Sequence, residues 1–347
     1  MEVGRLELLH ILETAVNAVF PVVLMMLLGY VLQRIGFFTP EFIRVGSKFS
    51  FRVLMPGMLF VNVYNIESFD VIRWDVVLYC VAVLCVIFVL GFVTAVVTTR
   101  VPERRGVLLQ VTFRSNMAIM GLSLASVLGG AEAVATSAIV SAFTLPVMNT
   151  FAVIALTVFL EPGEAKKISI GGILKNIIKN PIIDGILVGM AFLAIRALQI
   201  RLFGRTVFTL RDDLKFVYTA MTNIKAISSP FALMILGAQF NFSASKGMLR
   251  EILVGTFWRI IVAPALAIGT AILLTKYTSI LNFGVDEYPA LIALFGTPAA
   301  VSSAIMAGQM KNDEQLGTQL VVWTSLCSVP TVFLMVCVMM AAGLLAV

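Results

Sequence analysis

Thr112–Gly130, TFRSNMAIMGLSLASVLGG, and Leu291–Met310, LIALFGTPAAVSSAIMAGQM, decide how this chain is read. Each is long enough to cross a hydrocarbon core of about 30 Å. Yet the centre of each is rich in Gly, Ser, Thr, Asn or Pro, residues that weaken a helix. Setting Gly121 on Gly296 aligns Gly121-Leu122-Ser123 with Gly296-Thr297-Pro298 at an offset of 175. Interrupted apolar segments at matching positions of two halves point to the substrate site of a secondary transporter.

Composition supports the membrane half of that reading. Hydrophobic residues make up 60% of the chain and charged ones 13%, with mean hydropathy +1.01; a soluble domain is about half apolar and a quarter charged. Runs such as Val76–Thr99 and Val329–Val347 supply the roughly 20 apolar residues a span needs. The first apolar run continues past signal-peptide length without a small-residue cleavage site. Cys80, Cys85, Cys327 and Cys337 sit inside apolar runs without metal-cluster spacing and read as small buried hydrophobes. With His10 the single histidine, no metal site, no cofactor and no nucleophile–base–orienter set can be assembled, so an enzyme is not expected.

Ten spans are predicted, over about 8–33, 43–65, 75–99, 106–130, 133–160, 173–197, 213–240, 249–275, 288–310 and 314–345. The basic excess (pI ≈ 9.3) then reports topology rather than nucleic acid. Twelve lysines and arginines fall in loops on one side and eight on the other, five of those eight in the amphipathic stretch Arg196–Lys215. The bias places both termini outside, in what is read as the bacterial cytoplasmic membrane.

The repeat extends beyond the interrupted segments. Pro56 matches Pro230 at an offset of 174, and Pro146 matches Pro330 at 184, which brings Ser141 onto Ser325; Pro21 and Pro181 open the two halves. Five spans per half force the second half to enter from the opposite side, so the repeats are inverted. The divisions are 1–165, a short linker at 166–172, and 173–347. The expected fold class is an all-α integral membrane protein of ten transmembrane helices in two inverted five-helix repeats, with broken crossover helices 4 and 9. Unwound helix in a bilayer is tolerated where it is buried or lines a cavity, and half-helix N-termini favour an anion.

Polar residues inside spans are functional candidates by default. Asn116, Gly121, Ser123, Gly296, Thr297, Pro298 and Ser302, with Asn62 and Gln239, are the expected substrate-binding set. Arg114, Arg259 and Asp184 are candidates for ion coupling or buried charge, Asp184 being the one acid well inside a predicted span. Asn65, Ser115, Asn149, Ser303 and Gln309 complete the polar inventory.

At these residues the chain resembles the auxin efflux carrier family, whose bacterial members include malonate and other organic-anion permeases. The marks are FPVVLMMLLGYVLQRIGFF, LMPGMLFVN, FRSNMAIMGLSLASVLGG, NPIIDGILVGM, LMILGAQF and GTPAAVSSAIMAGQM, in that order along essentially the whole chain. The resemblance implies a scaffold group and a panel group of helices and an elevator-like movement about the crossover. Its crossover prolines map onto Ser123 and Pro298, so the first is replaced here; Asp184 stands where the family usually has a small apolar residue. The short loop between the halves is like that of the bacterial members. The resulting expectation is a carrier of a small organic anion, such as a carboxylate, embedded in the lipid bilayer. Coupling to a proton or to sodium, and a homodimer, are left open. A sodium-coupled symporter of the bile-acid type is the first alternative, weakened by the acid-poor crossover. A transporter-like ligand sensor is the second, weakened by the lack of an appended signalling domain.

Overall fold

Prolines, caps and glycines set where the helices of this chain start, widen and turn. The computed structural model describes residues 20–65, 73–160, 181–278 and 280–345, so His10 and the expected linker at 166–172 lie outside it. Helix α1 is Phe20–Arg34. Helix α2, Pro40–Phe49, starts on Thr39, whose hydroxyl accepts from the Phe42 N–H at 3.2 Å. A π turn at Ser50–Leu54 joins it to α3, Met55–Tyr64. Pro56 explains the turn: it lacks an N–H, its ring crowds the carbonyl four residues back, and the helix widens locally to absorb both. The same device recurs where α9, Leu249–Phe257, passes through the π turn Trp258–Val262 into α10, Ala263–Tyr277, which carries Pro264.

Helix α4 is Trp74–Thr98 and α5 is Pro102–Phe113, the latter opened by its proline. The π turn Met117–Gly121 leads into α6, Leu122–Val158, which bends at Gly129 and Gly130. Gly130 has φ +61, a conformation costly for any residue with a Cβ. Then come α7, Pro181–Phe203, and α8, Lys215–Gln239. Helix α11, Tyr288–Leu291, runs through the π turn Ile292–Gly296; α12 is Ser302–Gln309 and α13 is Glu314–Ala341. The Asp313 carboxylate caps α13 by accepting from the Leu316 N–H at 2.9 Å.

Among the described residues five helices are long and apolar enough to cross a membrane: Trp74–Thr98, Glu132–Val158, Ile183–Phe203, Leu249–Tyr277 and Glu314–Ala341. Their outer faces are apolar. On α4, Leu78, Val86, Val89, Val93 and Val97 are all exposed, the surface that lipid rather than water would cover. One boundary differs from expectation. The sixth span was placed to end at about 197, but α7 continues through Phe203, so the first part of the amphipathic stretch is helix and the chain leaves it only at Gly204.

The helices pack in two groups. In the first, α3 lies on α7 and α8. Phe60, Val61, Tyr64 and Leu210 form a small core there, and the Phe192 ring stands edge-on to Phe60 and Tyr64 at 5.9 and 6.0 Å. In the second, α4 packs on α5 and α6, α5 on α12 and α13, α9 on α13, and α11 on α6. Helix α8 touches α12 and α13 along the seam between the groups.

Candidate functional site

Two short extended segments meet in the second group. After α5 the chain unwinds at Arg114 (φ −88, ψ 98) and stays non-helical through Asn116 (φ −86, ψ 42). After the Ile292–Gly296 turn it unwinds at Thr297 (φ −78, ψ 154), a residue held extended by the proline that follows. Ser115 and Ala299 form an antiparallel bridge. The Asn116 N–H donates to the Pro298 carbonyl at 2.8 Å, and the Ala300 N–H donates to the Arg114 carbonyl at 3.1 Å. Backbone groups released by unwinding thus pair with each other. The Ala299 N–H is taken by the Thr324 hydroxyl at 3.1 Å.

The register differs from the expected one. Gly121 was set against Gly296, but Gly121 is helical (φ −64, ψ −46), and the first break lies five residues earlier, at Arg114–Asn116. The π turn that follows the break absorbs the distortion that the glycine was expected to take. Gly121 serves a different purpose: a Cβ there would fall 2.6 Å from the Ala293 carbonyl, so only glycine lets the two turns approach this closely. Pro298 lies at the junction. Ser123 does not; it is in α6, and its side chain is outside the described set.

Two arginines are buried around the junction with opposite surroundings. Arg259 is 0% exposed. Its guanidinium donates to the Thr112 carbonyl at 3.3 Å, to the Leu294 carbonyl at 3.5 Å and to the Phe295 carbonyl. These are orphan carbonyls at the C-terminal ends of both half-helices, where the helix dipole also favours a cation. Arg114 is 4% exposed. Its Nη2 donates to Asn149 Oδ1 at 2.7 Å, and its Nη1 lies against the Met306 thioether. With its amide turned to satisfy both ends, Gln110 accepts from Arg114 Nη1 at 2.7 Å and donates to the Ser303 carbonyl at 3.3 Å. Among the described residues no carboxylate forms an ion pair with either arginine.

A cleft opens beside Arg114, between the two helix groups. The first group contributes Met55, Met58 and Leu59 from α3 and Ser228, Ser229 and Ala232 from α8. The second contributes Arg114, Ser115, Asn116, Leu145, Met148, Asn149, Ala300, Val301 and Ser302. Asn116 is 3% exposed, and its Nδ2 has no partner within the fold. Ser228 is already engaged, its one hydroxyl proton shared between the Leu54 and Ile224 carbonyls at 2.8 and 2.6 Å. The polar lining is therefore one cation, two amides of which Asn116 has an idle donor, and neutral hydroxyls, with no acid.

Of the residues expected at a site, the cleft brings together Arg114, Asn116 and Ser302. Thr297 and Pro298 build the junction behind it; the Thr297 hydroxyl donates back to the Ala293 carbonyl at 3.0 Å. Gly296 is buried in the turn before the break. Asn62 lies one turn of α3 beyond Met58, outside the lining. Gln239 is also outside it, and its amide donates to Glu314 at 2.8 Å. Asp184 is exposed on α7, outside the cleft lining, and forms no ion pair with either arginine. Asn149 was visible as a polar residue in an apolar span, whereas Ser228 and Ser229 carried no signal beyond adjoining Pro230.

A family profile described as "Membrane transport protein" matches residues 14–336. No curated protein matches the chain at a significant level.

Proposed function

Since this chain belongs to the auxin efflux carrier family of membrane transporters, we propose that it carries a small organic anion across the bilayer by alternating access. The observation that carries this reading is the cleft itself. It holds a buried guanidinium without a carboxylate partner, beside an amide N–H donor without any partner. A buried cation is stable only when paired or well hydrogen-bonded, and a carboxylate would supply what the fold leaves out. Met55, Met58, Leu59, Leu145 and Met148 offer the apolar part of the ligand a matching wall. The N-terminus of α12, entered through Ser302, adds a favourable partial charge.

The ten-span inverted repeat belongs to this proposal and has local support. Adding 184 to Arg114 and Asn116 gives Pro298 and Ala300, so the two junction hydrogen bonds exchange under that shift. The same offset relates Pro146 to Pro330. A two-fold relation through Ser115 and Ala299 is what an inverted repeat requires at its crossover. In an elevator-like cycle the second group, with Arg114 and the junction, slides past the α3–α7–α8 group, and the seam cleft opens to alternate sides. The expected setting is the bacterial cytoplasmic membrane with both termini outside.

Counterflow of labelled carboxylates in proteoliposomes tests the reading. Accelerated exchange by at least one carboxylate, lost in Arg114→Gln and partly kept in Arg114→Lys, supports an anion carrier. Binding without exchange favours a sensor. Equal affinity for an acid and its neutral amide would sink the anion site.

A further inference from the structure

Away from the cleft, the seam between the helix groups holds a polar cluster that is short of hydrogen. Glu314 opens α13, and its carboxylate accepts from Gln239 Nε2, the last residue of α8, at 2.8 Å. Gln315 Nε2 donates to the Gln239 backbone carbonyl at 3.2 Å. Both amide orientations are assigned from this network, since each nitrogen faces an acceptor. Their oxygens, Gln239 Oε1 and Gln315 Oε1, are buried and have no donor. One turn further along α13 the contrast is plain: Gln319 donates to the Asn241 carbonyl at 2.7 Å and accepts from Ser245 at 2.9 Å and Trp323 at 3.1 Å.

The carboxylate is also held close. A Cβ at Gly308 of α12 would fall 2.4 Å from Glu314 Cδ, so the acid lies flat on that glycine. No countercharge reaches it among the described residues. Helix α12 carries no titratable group, and on α8 the nearest, Lys225, is fourteen residues away, about 21 Å along the axis. In the loop before α13, Lys311 is exposed and Asp313 is held by Arg104 at 3.0 Å, which also bonds Glu251 at 3.2 Å. Helix α2, which reaches α12 through Ser47 and Gln309, carries Glu41, Arg44 and Lys48, all exposed.

We propose that Glu314 is a proton-binding site at the seam, and that the proton it takes up joins the two helix groups in this conformation. A carboxylic acid and a primary amide make two reciprocal hydrogen bonds, and one of them, Gln239 Nε2–H to the carboxylate, is in place. Protonating the other oxygen supplies the missing donor for Gln239 Oε1 and removes a half-buried charge. The proton comes from water and returns to it when α8 and α13 separate. Glu314 lies about 9 Å along α12 from Ser302 at the cleft, counted from Gly308, so it does not touch the anion. The link to transport rests on the carrier reading above; the proton site does not.

Glu314→Gln tests both parts, because glutamine supplies an N–H donor and a carbonyl acceptor and so imitates the protonated acid permanently. In purified protein, infrared difference spectra between about pH 5 and about pH 8 should show a protonated-carboxyl band that vanishes in Glu314→Gln. In proteoliposomes, the ratio of uptake driven by a pH gradient to counterflow should fall toward that without a gradient. Absence of the band from the wild type, or its persistence in Glu314→Gln, would overturn the proton site. A band that behaves as expected in a protein with no carboxylate counterflow keeps the site and removes the carrier. A gradient response kept in full by a folded Glu314→Gln would refute the coupling, as would a response to sodium in place of pH.

Discussion

Arg114 and Arg259 are alike by every coarse measure and differ in what they face. Both are buried arginines packed at the junction, and among the described residues neither has a carboxylate partner. Arg259 gives both Nη groups to backbone carbonyls of two different half-helices, its Nε alone lacking a partner, and lines no part of the cleft. Arg114 rests on neutral side chains and lines the cleft. Burial and charge therefore mark a residue as consequential without saying for what. The identity of the hydrogen-bond acceptors separates an arginine that ties the junction carbonyls from one that faces the cleft.

The largest effect is expected where that distinction can be broken outright. Arg259→Met leaves the Thr112, Leu294 and Phe295 carbonyls without their donor, and each buried orphan costs about 1–3 kcal/mol. Thermal unfolding in detergent should show a marked loss of stability or of folded yield, with ligand affinity of the surviving fraction close to that of the parent. Retained stability combined with lost binding would invert the assignment of the two arginines.

Arg114→Gln should do the reverse. Removing a buried charge that lacks a countercharge offsets the cost of leaving Asn149 Oδ1 and Gln110 without their donor, so stability is expected to stay near the parent value. Affinity for a carboxylate should fall by about 2–5 kcal/mol, the usual consequence of truncating a buried charge pair. Isothermal titration against a carboxylate that stabilises the parent reads this directly. A large drop in melting temperature with unchanged affinity would move Arg114 into the structural class.

Asn116→Ala sharpens the same contrast on a smaller scale. The Asn116 backbone N–H, which survives the substitution, makes the junction bond to Pro298, while the side-chain Nδ2 has no partner in the fold. The expected cost is one hydrogen bond to a charged group, about 1.5–3 kcal/mol, or roughly ten- to a hundredfold in affinity, with little change in stability. If stability falls as far as affinity, the side chain is serving the fold.

How much of this was legible in the sequence follows from what sequence can encode. The helical membrane class came from hydropathy, and the interrupted segments from their polar centres. Arg114 was picked out because charges inside apolar spans are rare, and Asn116 and Ser302 because they adjoin the two breaks. The register of the junction was misread, since glycine was taken as the point of unwinding. In the structure a π turn keeps Gly121 helical, and the chain opens instead at Arg114–Asn116, after the Thr112 carbonyl held by Arg259. That bond joins residues 147 apart, and no local pattern announces it. Asp184 was singled out as the one acid well inside a predicted span, whereas Glu314, at the start of the tenth, carried no signal of its own. Exposure on α7 and the Gln239 contact of Glu314 both depend on tertiary packing.

The smallest effect should come from Pro298→Ala, and it probes the junction rather than either arginine. The Pro298 carbonyl accepts from Asn116, and alanine keeps that carbonyl. What is lost is the ring, which bars Thr297 from helical geometry and denies a donor to the preceding turn. The bridge between Ser115 and Ala299 and the Thr324 hydroxyl on the Ala299 N–H remain to hold the segment extended. Equilibrium affinity and thermal stability are therefore expected to stay within about 0.5 kcal/mol of the parent, the range of substitutions that disturb no buried partner. Transport rate should fall modestly, because a segment free to sample helix between turns of the cycle presents its competent form less often. A collapse in affinity comparable to that of Arg114→Gln would mean that the ring, not the paired backbone, holds the site open, and that the exchange of hydrogen bonds across Ser115 and Ala299 is a consequence of the fold rather than its support.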